Sequence, residues 1–144
     1  MHLRPRSLTF RRTSSLLPGL RNIRLQLQFL CVTAKHSCRP AKRREGDHET
    51  PEGFYIIDSR NAHSRFHRAL HISYPNNNDS RRAEVEGVPP GGQIMIRGIQ
   101  NNLGWLGPLQ HEIDWTDGCI AVTDAEIDEI WNLVPIGTPI EIRQ

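Results

Sequence analysis

The chain has 144 residues, the size of about one domain, and is 37% hydrophobic, 6% aromatic and 24% charged with a formal net charge of +2. No apolar run reaches the ~18 residues of a membrane-spanning helix, and three cysteines (Cys31, Cys38 and Cys119) cannot build a disulfide-stapled scaffold. The small net charge conceals an asymmetry: residues 1–44 carry eleven basic residues and no acid, and residues 45–144 carry seven basic and sixteen acidic ones, +11 against −9. This pattern predicts a basic segment, residues 1–41, attached to an acidic folded domain, residues 42–144.

In the basic segment, Phe10-Arg11-Arg12-Thr13 is similar to a twin-arginine export signal. The apolar stretch that should follow is cut by Pro18, Arg21 and Arg24, so no signal peptide is recognisable. An arginine-rich, acid-free start also suits an organellar transit peptide, without support downstream. Arginine binds polyphosphates well, but the basic residues here are scattered singly with no interleaved aromatics, and no nucleic-acid partner is expected. Leu25–Leu30 alternates apolar and polar with the period of a short strand. Cys31, His36 and Cys38 set three metal-ligand types within eight residues, but no second cluster completes a tetrahedral set. The segment is expected to be disordered or aberrant.

From residue 42 the elements follow closely. Thr50-Pro51-Glu52-Gly53 predicts a turn ahead of a strand at Phe54–Ile57. Leu70–Tyr74 alternates as a second strand and stops at Pro75-Asn76. Asn77–Gly87, polar and mixed in charge, reads as a surface excursion. Pro89-Pro90-Gly91-Gly92 is a rigid turn into a buried strand at Ile94–Ile96, and Gly98–Asp117, with two tryptophans and no period, is a long loop. Thr123 and Glu126 form a capping box for a helix whose Ile127, Ile130, Trp131 and Val134 share one face. Pro135 and Gly137 end it, and Thr138–Ile142 is a closing strand. The fold class is α+β, mainly β.

Cys119 follows Gly118 at the mouth of the long loop, where an accessible thiol nucleophile would sit, although a free cysteine is more often buried and inert. Three stretches bear on the choice. Lys42 to Tyr55, with Gly46-Asp47-His48-Glu49-Thr50-Pro51-Glu52-Gly53 at its centre, resembles the pattern K-x-x-G-D-x-x-T-P-x-G-x-F/Y, the leading motif of the L,D-transpeptidase (YkuD-type) catalytic domain family. Ile72-Ser73-Tyr74-Pro75-Asn76 resembles a strand found in a bacterial branch of that family. Pro90 to Ile96, then Asp114-Trp115-Thr116-Asp117-Gly118-Cys119 and the elements through Ile142, resemble its catalytic half.

The resemblance implies a β-sandwich of that family with the capped helix near the C-terminus. It also implies acyl transfer on peptidoglycan stem peptides in cell wall biogenesis, in the periplasm or cell envelope, with no cofactor, metal or stable membrane insertion. Cys119 would be the nucleophile, the Gly118 and Cys119 amides the oxyanion donors, and Gly98, Thr116 and Asp117 substrate contacts. Three positions depart from the family pattern. Arg97 stands where the family has a histidine before a glycine, Asp117 stands at a second histidine position, and Ala121 replaces an arginine found in many members. Arginine carries a fixed charge and cannot move a proton. The expectation is therefore a transpeptidase-like enzyme with impaired catalysis, or a non-catalytic peptidoglycan-binding relative that keeps the groove. His111 and His71 are candidate substitutes for the lost histidine. His63, His67 and His71 have helical metal-ligand spacing, but the strand pattern at His71 breaks such a face. The family's front strands are not recognisable in residues 1–41, and a shifted reading frame or a wrongly chosen start is the expectation there.

Overall fold

The computed structural model describes residues 41–101 and 117–143, and the backbone of residues 25–28. In chain order the elements are β1 (Leu25–Gln28), β2 (Gly53–Ser64), β3 (His67–Ile72), α1 (Asn77–Glu86), β4 (Met95–Arg97), β5 (Ile120–Ala121), α2 (Asp124–Leu133) and β6 (Pro139–Arg143). The strands form one six-stranded sheet in the order β1-β6-β2-β3-β4-β5. The mainly β, α+β architecture expected from the sequence is what the chain adopts.

β2 organises the sheet. Its first residues pair antiparallel with β6, and its later residues pair antiparallel with β3. The register with β3 shifts between Ile57 and Ser59 and again between Asn61 and Ser64. Such irregularities bend a strand and add twist, which lets one long strand serve both halves of a curled sheet. Alternation does the rest: Tyr55 and Ile57 are buried and Phe54 and Ile56 are exposed. The core joins Tyr55, Ile57, Leu70, Ile72, Ile96, Ile120, Ile140 and Ile142 from the strands to Ile127 and Ile130 from α2.

Four sequence expectations change in position or kind. Leu25–Leu30 does contain a strand, and β1 pairs parallel with β6. The turn falls at Glu45–Gly46, not at Thr50–Gly53. The second strand begins at His67 and ends at Ile72, earlier than expected. The Asn77–Gly87 stretch is helix α1 and its C-cap, with only Asp79 and Ala83 of the helix buried, so there is no apolar stripe to reveal it. Its ends hold it: Asn76 Oδ1 accepts from Asn78 N and Asp79 N, Asp79 Oδ2 accepts from Asn76 N, and Gly87 closes it at φ 67°. Of the long loop, Gly98–Asn101 is tied down by Gly98 N to Arg68 O, Ile99 N to Asp124 Oδ1 and Asn101 N to Arg65 O. Residues 102–116 lie outside the described residues.

Candidate active site

Period-two alternation places the site. Leu70, Ile72, Ile96 and Ile120 point into the core, so Ala69, His71, Met95, Arg97, Cys119 and Ala121 belong to the opposite face of β3, β4 and β5. The register aligns Ala69, Arg97 and Ala121 in one row. The row before it aligns His71 with Met95, and the parallel β4–β5 pairing brings Cys119 beside Met95. Arg97 is thus diagonal to Cys119 across two adjacent strands.

The Arg97 guanidinium is close enough to the Cys119 sulfur to interact with it by charge. Burial lowers the Arg97 pKa from its ordinary value, and Cys119 works against that shift. The guanidinium stacks on the Phe66 ring, with Cζ 3.7 Å from its centroid, and Nη1 donates to Gly98 O at 3.3 Å. Cys119 is half-buried and free of any disulfide, and its Sγ donates to the Gln93 carbonyl at 3.5 Å. Sequence reasoning paired Arg97 with Cys119, and the fold brings them together.

Gly118 explains why a glycine precedes the cysteine. It has φ +93°, and a Cβ there would stand 2.3 Å from Glu49 O and 3.1 Å from Ile94 Cδ1. Residues 117–119 therefore lie directly on the 42–53 loop, whose shape comes from one carboxylate. Asp47 Oδ1 accepts from Lys42 Nζ at 2.8 Å and Glu49 N at 3.1 Å, and Oδ2 accepts from Arg43 N at 2.7 Å and Arg44 N at 2.9 Å. Burial works to raise the Asp47 pKa, but these hydrogen bonds bring it down to about 2. The residue between Asp47 and Glu49 is His48, at φ 59°, and its Nδ1 lies 2.7 Å from Asp117 Oδ1. Sequence reasoning singled out Asp117 and passed over His48. The contact spans 69 residues and leaves no local pattern.

The other candidates separate. Gly98 is buried, and a Cβ there would meet Asp124 Oδ1 at 2.7 Å and His67 Cβ at 3.1 Å, so its role includes close packing under α2. His67 Nε2 bonds Asp128 Oδ1 at 2.8 Å, and His71 Nδ1 bonds Asp58 Oδ1 at 2.6 Å, while His63 is exposed on β2. Strand geometry and these pairings leave no shared metal-binding face. Among the described residues, no group of three or more His, Cys, Asp or Glu side chains could hold a metal ion. No helix among them is long and apolar enough to cross a membrane. Cys31, His36, Cys38, His111, Asp114 and Thr116 lie outside the described residues.

Comparison with known proteins identifies the family of the fold. The family model of the YkuD L,D-transpeptidase catalytic domain matches residues 7–142. The chain is 33% identical over 95 residues to the protein named "Putative L,D-transpeptidase YafK" in Escherichia coli (strain K12), covering 65% of this chain and 31% of that protein. Among solved structures it resembles the helical cell shape determining protein Pgp2 from Campylobacter jejuni, with a TM-score of 0.57, 26% identity, and coverage of 75% of this chain and 36% of that one. It also resembles Bd1075 of Bdellovibrio bacteriovorus, with a TM-score of 0.50, 27% identity, and coverage of 72% and 36%. The chain spans about a third of the length of these relatives. By the extent of the family match, the chain belongs to the L,D-transpeptidase catalytic domain family.

Proposed function

We propose that this chain is a peptidoglycan L,D-transpeptidase-type cysteine acyltransferase of the cell envelope, with Cys119 as its nucleophile. The observation that carries the reading is a half-buried thiol beside a fixed cation, Arg97, on adjacent strands and on the outer face of the family's own sheet. In the reaction the Cys119 sulfur attacks the carbonyl of a stem tetrapeptide, and the terminal D-alanine departs as its amine. The acyl group then passes from the resulting thioester to an acceptor amine or to water. Arg97 stabilises the thiolate electrostatically, and the Gly118 and Cys119 amides are the candidate donors to the tetrahedral oxyanion. Asp117 and Gly98 flank the thiol in sequence and sheet register and are the proposed substrate contacts, with Thr116.

Arg97 also favours a second reading. A guanidinium cannot protonate the departing amine, a contribution worth ~10²–10⁴ in rate. A relative that keeps the groove and binds peptidoglycan without turnover is the alternative. Intact-mass measurement after incubation with a carbapenem tests the first reading, because β-lactam ring opening acylates the thiol without an acceptor. Wild type and the Cys31→Ala/Cys38→Ala variant should gain one adduct, and Cys119→Ala none. An adduct that survives Cys119→Ala refutes the assignment. Co-sedimentation with sacculi, without muropeptide products by mass spectrometry, would favour the binder.

A further inference from the structure

The acyl transfer proposed above has two proton steps, and the fixed cation at Arg97 serves neither. A second candidate is the His48 imidazole, tied to Asp117 two residues before the thiol. β4 and β5 run parallel, with Arg97 beside Ala121, downstream of Cys119. Upstream of Cys119 lie Gly118, Asp117 and the 42–53 loop that Gly118 contacts. There, His48 Nδ1 lies 2.7 Å from Asp117 Oδ1, with side-chain exposures of 64% and 88%. His48 is fixed on both sides, since Asp47 anchors four donors before it and the Glu49 carbonyl abuts Gly118 after it.

We infer that the His48–Asp117 pair is the general base of the second half-reaction, taking the proton from the acceptor as it attacks the Cys119 thioester. The inference rests on Cys119 being the nucleophile. With Nδ1–H donating to Asp117, Nε2 is the ring nitrogen left to accept a proton, the division of labour in a carboxylate–imidazole–nucleophile arrangement. Nε2 has no hydrogen-bond partner among the described residues. Asp117 and Cys119 are two residues apart, so their Cα atoms are within ~7 Å. An acceptor bound between the imidazole and the thioester, directly or through one water, is in reach of both. The exposed Asp117 carboxylate also attracts a cationic amine to this flank.

The step balances without a further reagent. The acceptor nitrogen or water oxygen bonds to the thioester carbonyl carbon, and His48 Nε2 receives its proton. The tetrahedral intermediate collapses by breaking the C–S bond, and the electron pair returns to Sγ, whose charge faces Arg97. The proton on His48 then passes to solvent.

The test loads Cys119 with a stem-peptide thioester, which acylates by thiol exchange and releases no amine, so the first proton step is bypassed. Release of the acyl group is followed by intact mass, with a stem peptide amine as acceptor and with water alone. The variants are His48→Asn, which suits a positive φ, and Asp117→Asn, each with circular dichroism to confirm folding. His48→Asn should load like wild type and hold the adduct longer, with release slowed by ~10²–10⁴, and the adduct once formed on Asp117→Asn should also be released more slowly. Added imidazole should speed release from His48→Asn and leave wild type unchanged. Release from a folded His48→Asn at the wild-type rate overturns the inference while leaving Cys119 as nucleophile. Failure of wild-type Cys119 to accept the thioester overturns both.

Discussion

Replacing Asp47 by alanine tests whether one carboxylate shapes the loop against which Gly118 and Cys119 are set. Lys42 is 3% exposed, and without Asp47 its ammonium keeps only the Arg44 carbonyl at 3.1 Å. Removing one partner of a buried ion pair costs about 3–5 kcal/mol, a large share of the ~5–15 kcal/mol by which domains are stable. In a folded unit of about 100 residues, each kcal/mol shifts Tm by roughly 4–8 °C, so a fall of about 12 °C or more is expected. Urea unfolding followed by circular dichroism measures the loss. Lys42→Met combined with Asp47→Ala should recover part of it, since no uncompensated charge remains. The carboxyl pKa, about 2 in the folded chain, lies below its ordinary 3.8, so this contribution is full above about pH 4 and disappears as pH falls through about 2. At ~1.4 kcal/mol per unit it amounts to about 2 kcal/mol, and the gap between wild type and variant should narrow over that interval. A loss under about 1 kcal/mol at pH 7 would refute the account.

Two further substitutions probe the site. Gly118→Ala should cost more than Gly46→Ala in thermal melts: both positions have positive φ, which costs ~1–2 kcal/mol for a side chain, but only Gly118 adds a 2.3 Å clash with a backbone carbonyl, while Gly46 faces open space. Equal losses would mean that the contact between residues 118 and 49 is not tight. Arg97→His should raise turnover of a tetrapeptide donor by ~10²–10⁴, because imidazole can protonate the leaving amine near neutral pH. A folded Arg97→His no faster than wild type would place the defect elsewhere.

What the sequence reveals is chemistry closed within a few residues. The capping box read from Thr123 and Glu126 is present, with Thr123 N to Glu126 Oε2 at 2.8 Å and Glu126 N to Thr123 Oγ1 at 3.2 Å. Of the apolar face behind it, Ile127, Ile130 and Val134 are buried, while Trp131 is partly buried with the Arg60 guanidinium over its ring at 3.9 Å. The comparable box at Asn76 and Asp79 was passed over, since the helix behind it offers no periodic face. Its buried polar residue, Asp79, is a carboxylate held by Tyr55 Oη and Arg82 Nη2 at 3.0 Å each. Tyr55 reflects that environment, its hydroxyl pKa pushed well up by burial and then by Asp79. The Arg82 tie lies within α1 at i, i+3, but the Tyr55 tie does not, because Tyr55 comes from β2.

The same contrast holds at the site. Arg97 and Cys119 were legible because each sits in a short motif, and two parallel strands then set them on one face. His48 belongs to a motif whose internal logic is local: Asp47 gathers the Lys42 ammonium and three backbone amides within five residues on either side. The consequence of that local closure is distant, since it leaves His48 at positive φ with its ring on Asp117. A side chain at residue 118 would separate the two segments, so the absence of a Cβ at Gly118 allows the 42–53 loop and the Cys119 strand to share one site. Glycine therefore does two jobs here, permitting the backbone turn before the thiol and admitting the imidazole to its flank.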